Sequence, residues 1–208
     1  TYGLAWVWDT PDIELNNSSI GNLGTGSLTI WFWFSKVEDD ITNGRAIFKG
    51  ALNDQVEGYS LWIGNDVFTI GLSNGTTRLF NGGISHSGIN NWSHIVYIID
   101  RDAGLIKAYL NGALHSIQTD ISLFQNDNIE SNYNLTFGSA SQAAASNYLN
   151  YKGKLDDIAI YNRALSETEI QQLMSSVAVN GVSINNCPAT NIQIGMTYDL
   201  EEVIEPID

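Results

Sequence analysis

Short segments in which apolar and polar residues alternate dominate the chain. Each is rich in β-branched and aromatic residues and is bounded by Gly, Asn or Asp, the pattern typical of strands. The strong candidates are 27–34, 92–99, 105–110, 134–138 and 154–161, and the weaker ones are 5–8, 45–49, 59–63, 67–72 and 77–80. Strands at this spacing, without helices between them, predict an all-β fold, an antiparallel two-sheet β-sandwich of the jelly-roll kind.

Two local signals add detail to this pattern. Ser166 is followed three residues later by Glu169, a capping box that predicts one short C-terminal helix near Ser166–Met174 with Leu165, Ile170 and Leu173 on its buried side. Asn111-Gly112 predicts a two-residue hairpin turn, because both positions tolerate positive φ.

The composition changes after about Ser175, which predicts a domain boundary near Val177. Residues 178–208 contain five acidic residues and no Lys or Arg. We therefore expect one module over 1–177 and a second, incomplete unit over 178–208. The single cysteine, Cys187, excludes an intrachain disulfide.

The charge of the chain narrows the possible partners. Nine basic and 23 acidic residues give a formal net charge of −14, and such a field repels nucleic acid and anionic membranes. Neutral glycans, calcium and basic partners remain compatible, and the charge alternatively serves only solubility. No apolar run approaches the length of a membrane span, so we expect no membrane insertion.

Several motifs, in order over residues 1–174, resemble the bacterial laminin-G-like (concanavalin-A-like) jelly-roll family. The opening LAWVWDTPDIEL, the strand GSLTIWFWF, the strand NWSHIVYIID and the hairpin GLIKAYLNGAL each match part of its pattern. The most specific match is GKLDDIAIYNRALSETEIQQL at 153–173, which combines Asp-Asp, a strand and a short helix. The resemblance implies a concanavalin-A-like sandwich and a secreted or cell-surface bacterial protein.

The tail resembles a different family. Residues 180–208, NGVSINNCPATNIQIGMTYDLEEVIEPID, are similar to the opening half of a bacterial immunoglobulin-like domain. This resemblance implies that the chain is a piece of a larger multidomain protein. Half of such a sandwich leaves strand edges unpaired, so we expect Val182–Ile184 and Thr197–Ile204 to pair with the jelly roll or to self-associate with another copy. The alternative is an ordered extension without strand pairs.

Catalytic patterns are weak in this sequence. Glycoside hydrolases of this class need paired carboxylates on a strand facing one cleft, whereas the acidic pairs here fall in a turn, a hairpin loop and the helix. The sequence has no nucleophile elbow and no glycine-rich phosphate loop. We therefore expect a module that is not an enzyme, although it can be an accessory part of one.

The family resemblance also implies a structural Ca²⁺ at the rim of the sandwich. Asp156 and Asp157 match the family's Asp-Asp, and Asp9 and Asp12 follow the first strand, which in this fold runs beside the last. Carboxylates from both ends of the module are the hard oxygen ligands that Ca²⁺ prefers. The alternative is that Asp156 or Asp157 caps a turn.

Aromatic residues supply the candidates for ligand contact. The resemblance places Trp6, Trp8, Trp33 and Trp92 at family core positions. Two other tryptophans point away from the main core, because each is out of phase with its apolar neighbours along the strand, and exposed rings commonly bind ligands or another domain. The predicted ligand-binding residues are Trp31 and Trp62, with Tyr148 and Tyr151 as weaker candidates; packing under a loop is the alternative.

Three functions remain open from the sequence. The first is a carbohydrate-binding module for a polysaccharide or glycan that is uncharged, attached to a polysaccharide-degrading or surface protein. The second is an adhesion or protein-interaction module without a glycan ligand, and the third is an architectural spacer beside immunoglobulin-like repeats.

Overall fold

Two β-sheets packed face to face form the body of the molecule in a computed structural model. The structure describes residues 13–36, 44–51, 55–64, 67–85, 91–115, 118–140 and 149–175. The seven-stranded sheet contains β1 (Ile13–Leu15), β3 (Gly44–Gly50), β4 (Gly58–Gly64), β5 (Val67–Ser73), β6 (Arg78–Ser85), β11 (Leu135–Phe137) and β12 (Leu149–Asn150). The six-stranded sheet contains β2 (Leu28–Lys36), β7 (Ser93–Asp100), β8 (Leu105–Leu110), β9 (Ala113–Leu114), β10 (Thr119–Asp120) and β13 (Gly153–Tyr161).

The topology confirms the antiparallel sandwich. The first sheet has the order β1-β11-β3-β4-β5-β6 and the second the order β10-β8-β7-β2-β13. All described pairings are antiparallel except that of β12 with β3, which is parallel over two residues. Each predicted strand within the described residues is present, whereas the candidate at 5–8 lies outside them.

The main core lies between the two sheets because alternate residues of each strand face inward. Ile30, Phe32 and Phe34 of β2 belong to this core together with Leu61 and Ile63 of β4, and all five are at most 1% exposed. Burial of each such side chain contributes about 1.5–3 kcal/mol relative to exposure. The residues between them on the same strands, including Trp31 and Trp62, consequently lie on the outer faces.

The two local signals of the sequence are confirmed. Asn111 and Gly112 both have positive φ, 49° and 79°, and join β8 to β9. The helix α1 runs over Glu167–Ser175, and Ser166 and Glu169 form the reciprocal capping bonds: the Glu169 backbone N–H donates to Ser166 Oγ (3.3 Å), and the Ser166 N–H donates to Glu169 Oε2 (2.8 Å).

One buried lysine ties three distant segments together at the end of the seven-stranded sheet. Lys49 is fully buried at the end of β3. Its ammonium donates to the backbone carbonyls of Tyr133 (2.6 Å), Ser131 (3.3 Å) and Ser18. Burial lowers the pKa of Lys49 to about 8, so the group remains charged at neutral pH. These hydrogen bonds fix the position of the segment 131–133.

The chain divides into two compact units, Thr1–Ser175 and Ser176–Asp208. The second unit lies outside the described residues, and so do the segments Val182–Ile184 and Thr197–Ile204. Their immunoglobulin-like assignment and their predicted strand pairing stay predictions.

Candidate functional site

The outer face of the six-stranded sheet is covered by the C-terminal helix. Trp31, Val96, Ile98 and Tyr109 on this face form a second apolar cluster with Leu165 and Ile170, and Ile170 is fully buried. Trp31 therefore points away from the main core, as its phase predicts. The expectation that it is exposed is wrong, because only 7% of it is accessible beneath the helix. Trp31 is a packing residue and gives no support to a ligand contact.

His94 lies beside Trp31 in the same layer. The ring centroids of the two residues are 3.7 Å apart, and the ring centroid of Trp33 lies 5.2 Å from that of His94. His94 is fully buried, and neither ring nitrogen has a hydrogen-bond partner. Burial lowers the pKa of His94 to about 4. A buried neutral imidazole packed against two indole rings is a structural arrangement.

Two other tryptophans differ from what the resemblance implies. Trp92 is 41% exposed where β7 begins, so the expected core position is wrong. Trp33 is half-buried on the outer face opposite His94. Trp6 and Trp8 lie outside the described residues.

The outer face of the seven-stranded sheet carries a cluster around Trp62. The guanidinium carbon of Arg45 lies 4.5 Å from the Trp62 ring centroid, and that of Arg78 lies 5.4 Å from it. Phe80 meets Trp62 edge to face, with ring centroids 5.4 Å apart and planes at 89°. Such cation–π contacts each contribute about 0.5–2 kcal/mol and hold the indole in one orientation. We call Trp62, Arg45, Arg78 and Phe80 together the aromatic patch.

The aromatic patch is open to solvent at its β6 side. Phe80 is 49% exposed and Trp62 is half-buried, whereas Arg45 is only 3% exposed. Arg78 lies over the Phe80 ring at 4.4 Å. The prediction that Trp62 faces outward is confirmed. Phe80 was not among the predicted ligand-binding residues, although it lies out of phase with the inward-facing Leu79 in the same way as Trp62 does with Leu61.

Tyr151, the tyrosine candidate that the structure describes, is not part of this cluster. Tyr151 is 4% exposed and packs in the main core, and burial raises the pKa of its hydroxyl far above the ordinary value. The expectation that Tyr151 is available to a ligand is therefore wrong: it fills the space between the sheets. Tyr148 lies outside the described residues.

The metal candidates are only partly described. Asp156 is half-buried opposite Trp33, and its Oδ1 accepts a hydrogen bond from the Asp157 N–H (2.8 Å). Asp157 is exposed, with a φ of 46° where β13 is irregular. Within the described ranges no three His, Cys, Asp or Glu side chains form a group that fits a metal ion. Asp9 and Asp12 lie outside those ranges, so the calcium site stays a prediction.

The start of the described chain does not lie beside its last strand. β1 pairs with β11 in the seven-stranded sheet, while β13 pairs with β2 in the other. The strand expected at Ala5–Trp8 precedes β1 and is outside the described residues. Within the described residues, the first and last strands therefore do not lie side by side and do not bring carboxylates together.

Carboxylates that the sequence pairs at alternate positions serve structural contacts. Asp100 accepts a hydrogen bond from Lys107 Nζ at 2.8 Å. Glu169 caps the helix and contacts Arg163 at 2.6 Å, and hydrogen bonding to Arg163 lowers the pKa of Glu169 to about 2. Within the described residues, no helix has the length and apolar character needed to cross a membrane.

Comparisons with solved structures show the same fold at low sequence identity. The receptor binding domain of botulinum neurotoxin D is 21% identical, with a TM-score of 0.58, over 84% of this chain and 43% of that one. A second similar structure is described as "Cell entry of botulinum neurotoxin type C is dependent upon interaction with two ganglioside molecules". It is 19% identical, with a TM-score of 0.56, over 73% of this chain and 36% of that one. The chain thus spans less than half the length of these toxin domains.

A third similar structure is the native heptameric SAP-like pentraxin from Limulus polyphemus. It is 15% identical, with a TM-score of 0.55, over 74% of this chain and 72% of the pentraxin. No curated protein matches the chain. Residues 9–171 match the family described as "Concanavalin A-like lectin/glucanases superfamily". With most of the chain matched and the sandwich present, this protein belongs to that laminin-G-type family of concanavalin A-like domains.

Proposed function

We propose that the chain is a non-catalytic carbohydrate-binding module of a secreted or surface multidomain protein, with the glycan bound on the aromatic patch. The observation that carries this proposal is the difference between the two outer faces. The helix α1 covers one of them, whereas the other carries Trp62 with the 49% exposed ring of Phe80. Exposed aromatic groups on an otherwise polar surface are typical of binding sites.

The patch offers both kinds of contact that a sugar needs. Phe80 and the open edge of Trp62 present apolar surface to the C–H groups of a pyranose ring. Arginine N–H groups donate hydrogen bonds to hydroxyl oxygens, and Arg78 lies directly over Phe80. Gly71 pairs with Phe80 in the register and Gly82 pairs with Thr69. Two positions of the sheet face beside the patch therefore carry no side chain.

The ligand that we propose is an uncharged polysaccharide. The net charge of −14 repels acidic polymers at long range. Similar structures support a glycan in general terms, since cell entry of the type C toxin is described as dependent on two ganglioside molecules. Because this structure is less than 25% identical to the chain, it indicates a shared fold and not a shared ligand. The support for a saccharide ligand therefore comes from the patch itself.

The test is affinity electrophoresis with a panel of neutral polysaccharides (β-glucan, xylan, mannan and galactan) and acidic polygalacturonate. Trp62→Ala should weaken binding of the retained neutral polysaccharide by about 1–3 kcal/mol, on the scale of base–aromatic stacking. Trp92→Ala is the matched control, because Trp92 is an exposed tryptophan immediately before β7 of the other sheet. Equal effects of the two substitutions would contradict the assignment of the patch.

Absence of glycan binding by the unmodified chain would favour the alternative, an adhesion or spacer module without a glycan ligand. The resemblance of residues 180–208 to an immunoglobulin-like domain supports both the multidomain protein and the extracellular location in this proposal.

A further inference from the structure

A polar pocket lies at the end of the seven-stranded sheet where three connections meet. It has a volume of about 460 Å³ and is formed by residues 55–57 before β4, residues 74–76 between β5 and β6, and residues 130–133 before β11. Its polar side chains include those of Glu57, Asn74, Thr76, Glu130, Asn132 and Tyr133. The pocket is separate from the aromatic patch and shares no residue with it.

The walls of the pocket are fixed before any ligand binds. The Lys49 ammonium donates hydrogen bonds to the carbonyls of Ser131 and Tyr133, and the Ser131 N–H donates to Asn22 Oδ1 at 3.0 Å. On the opposite wall, Asn74 Oδ1 accepts the N–H groups of residues 76 and 77. Asn74 Nδ2 also donates to Asp127 Oδ2 at 2.7 Å, which ties this wall to the segment that leads into 130–133. A preformed site loses less conformational entropy on binding than a mobile one.

Two glycines allow the third wall to approach closely. Gly50 at the end of β3 pairs with Gly58 at the start of β4, and their φ values are 97° and 121°. A Cβ on Gly50 would lie 2.0 Å from the carbonyl oxygen of Glu57, and one on Gly58 would lie 1.9 Å from that of Lys49. This close approach of the two strands fixes the backbone beside Glu57, which lines the pocket.

The lining is rich in acceptors and carries negative charge. Glu57 Oε2 accepts from the Glu130 N–H at 3.4 Å, and Glu130 Oε1 accepts from Asn128 Nδ2 at 3.2 Å. Carboxylates form strong hydrogen bonds to hydroxyl groups, while the Asn132 amide and the Thr76 hydroxyl both donate and accept. No Lys, Arg or His is among the described lining residues. A sugar that carries a carboxylate or a sulfate would be repelled here.

The pocket adjoins the sheet face that bears the aromatic patch. Tyr133 packs edge to face on Phe48 at 5.3 Å, and Phe48 pairs with Ser60, which lies on the same face of β4 as Trp62. Glu57 precedes Trp62 by five residues, about 17 Å along an extended strand at about 3.4 Å per residue. An oligosaccharide, but not a single sugar, spans this distance.

We infer that this pocket binds an uncharged sugar residue at the end of an oligosaccharide whose following residues lie along β4 toward Trp62. The inference rests on the proposed function in one respect, that the ligand is a saccharide. The pocket selects against acidic sugars through Glu57 and Glu130, and the patch supplies apolar contact.

The experiment titrates the full chain with neutral hexasaccharides of glucose, xylose, mannose and galactose and with hexagalacturonate. Glu57→Gln and the exposed Asn132→Ala should each weaken binding of the neutral hexasaccharide at least tenfold, and Glu57→Gln should raise the relative affinity for hexagalacturonate. Glu167→Gln is the control, since it makes the same charge change on an exposed residue of α1, the helix that covers the six-stranded sheet. Thermal melting verifies that each variant is folded.

The outcomes separate the two proposals. If the neutral hexasaccharide binds and Trp62→Ala weakens it, but Glu57→Gln and Asn132→Ala behave like Glu167→Gln, the pocket inference is overturned and the proposed function stands. If no hexasaccharide in the panel binds at millimolar concentration, both are overturned.

Discussion

The indole ring of Trp62 occupies the space above Gly71 that any other residue would fill with its side chain. A Cβ on Gly71 would lie 2.9 Å from Trp62 Cζ3 and 3.4 Å from Arg78 Nε. The orientation of the aromatic patch therefore depends on a glycine in the neighbouring strand.

Gly71→Ala should displace the Trp62 ring without unfolding the sandwich, because the Gly71 backbone is not in the left-handed region. We expect a loss of roughly 1 kcal/mol in the free energy of unfolding from overpacking, and weaker retardation in the neutral polysaccharide gel. Gly26→Ala is the control, since a Cβ there meets only ordinary contacts. Retardation of Gly71→Ala equal to that of the unmodified chain would show that the ring position is unimportant.

Lys49→Met should destabilise the module strongly. The substitution keeps an unbranched side chain, one atom shorter, but leaves the carbonyls of Ser18, Ser131 and Tyr133 without their buried donor. We expect a loss of about 2–4 kcal/mol in the free energy of unfolding, measured by urea denaturation. Lys154→Met, on a half-buried lysine of β13, should cost much less. Similar losses for both variants would contradict the role of Lys49.

His94 should make stability depend on pH in the acidic range. Its folded pKa is about 4, below the ordinary value of 6.5, so between these values the unfolded chain binds a proton that the folded chain does not. The stabilisation is complete above about pH 6.5 and is lost as the pH falls toward 4, with a total on the order of 3 kcal/mol.

The measurement for His94 is the free energy of unfolding at several pH values from about 7 to about 4.5, the window between the two pKa values. The difference between the unmodified chain and His94→Leu should shrink or change sign as the pH falls. A parallel pH dependence for the His94 variant would argue against this assignment.

Calcium should raise the melting temperature if Asp9, Asp12, Asp156 or Asp157 holds an ion. Binding only to the folded state adds about 2.7 kcal/mol when the free ion is at about a hundred times its dissociation constant. The comparison is millimolar Ca²⁺ against EDTA, with Asp156→Asn and Asp157→Asn expected to reduce the difference. An identical melting temperature in both solutions would contradict the calcium site.

The segment after Val177 should promote self-association if its strands pair between molecules. Light scattering of the full chain and of a chain that ends at Val177 tests this prediction, because only the longer form should dimerise. Monomers in both cases would refute strand exchange.

Strand positions could be predicted because alternation reports directly on which residues face a core. The same reasoning gave the correct facing of Trp31 and Trp62. It could not distinguish their environments, because Trp31 is covered by Ile170, which is 139 positions away in the sequence. Whether an outward-facing ring is exposed depends on what folds over it, and the alternation within a strand contains no such information.

The pocket and its support were also beyond the sequence. Lys49 reads as an ordinary polar residue near the end of a strand, and its partners are backbone carbonyls, which every residue has. Tyr151 shows the opposite case: the Asn-rich segment before it suggests an exposed loop, yet its ring lies in the core. These errors arise where contacts between distant segments decide the environment of a side chain.

The buried ammonium of Lys49 has a consequence for the environments in which the module works. A bound metal ion at a loop of this kind would leave when its concentration falls or when a chelator competes for it. A cation that is covalently part of the chain cannot dissociate, so the support of the wall at 131–133 does not depend on the metal content of the solution. Because burial lowers the pKa of Lys49 to about 8, the ammonium is mostly protonated at pH 7 and loses its charge as the pH rises through that value.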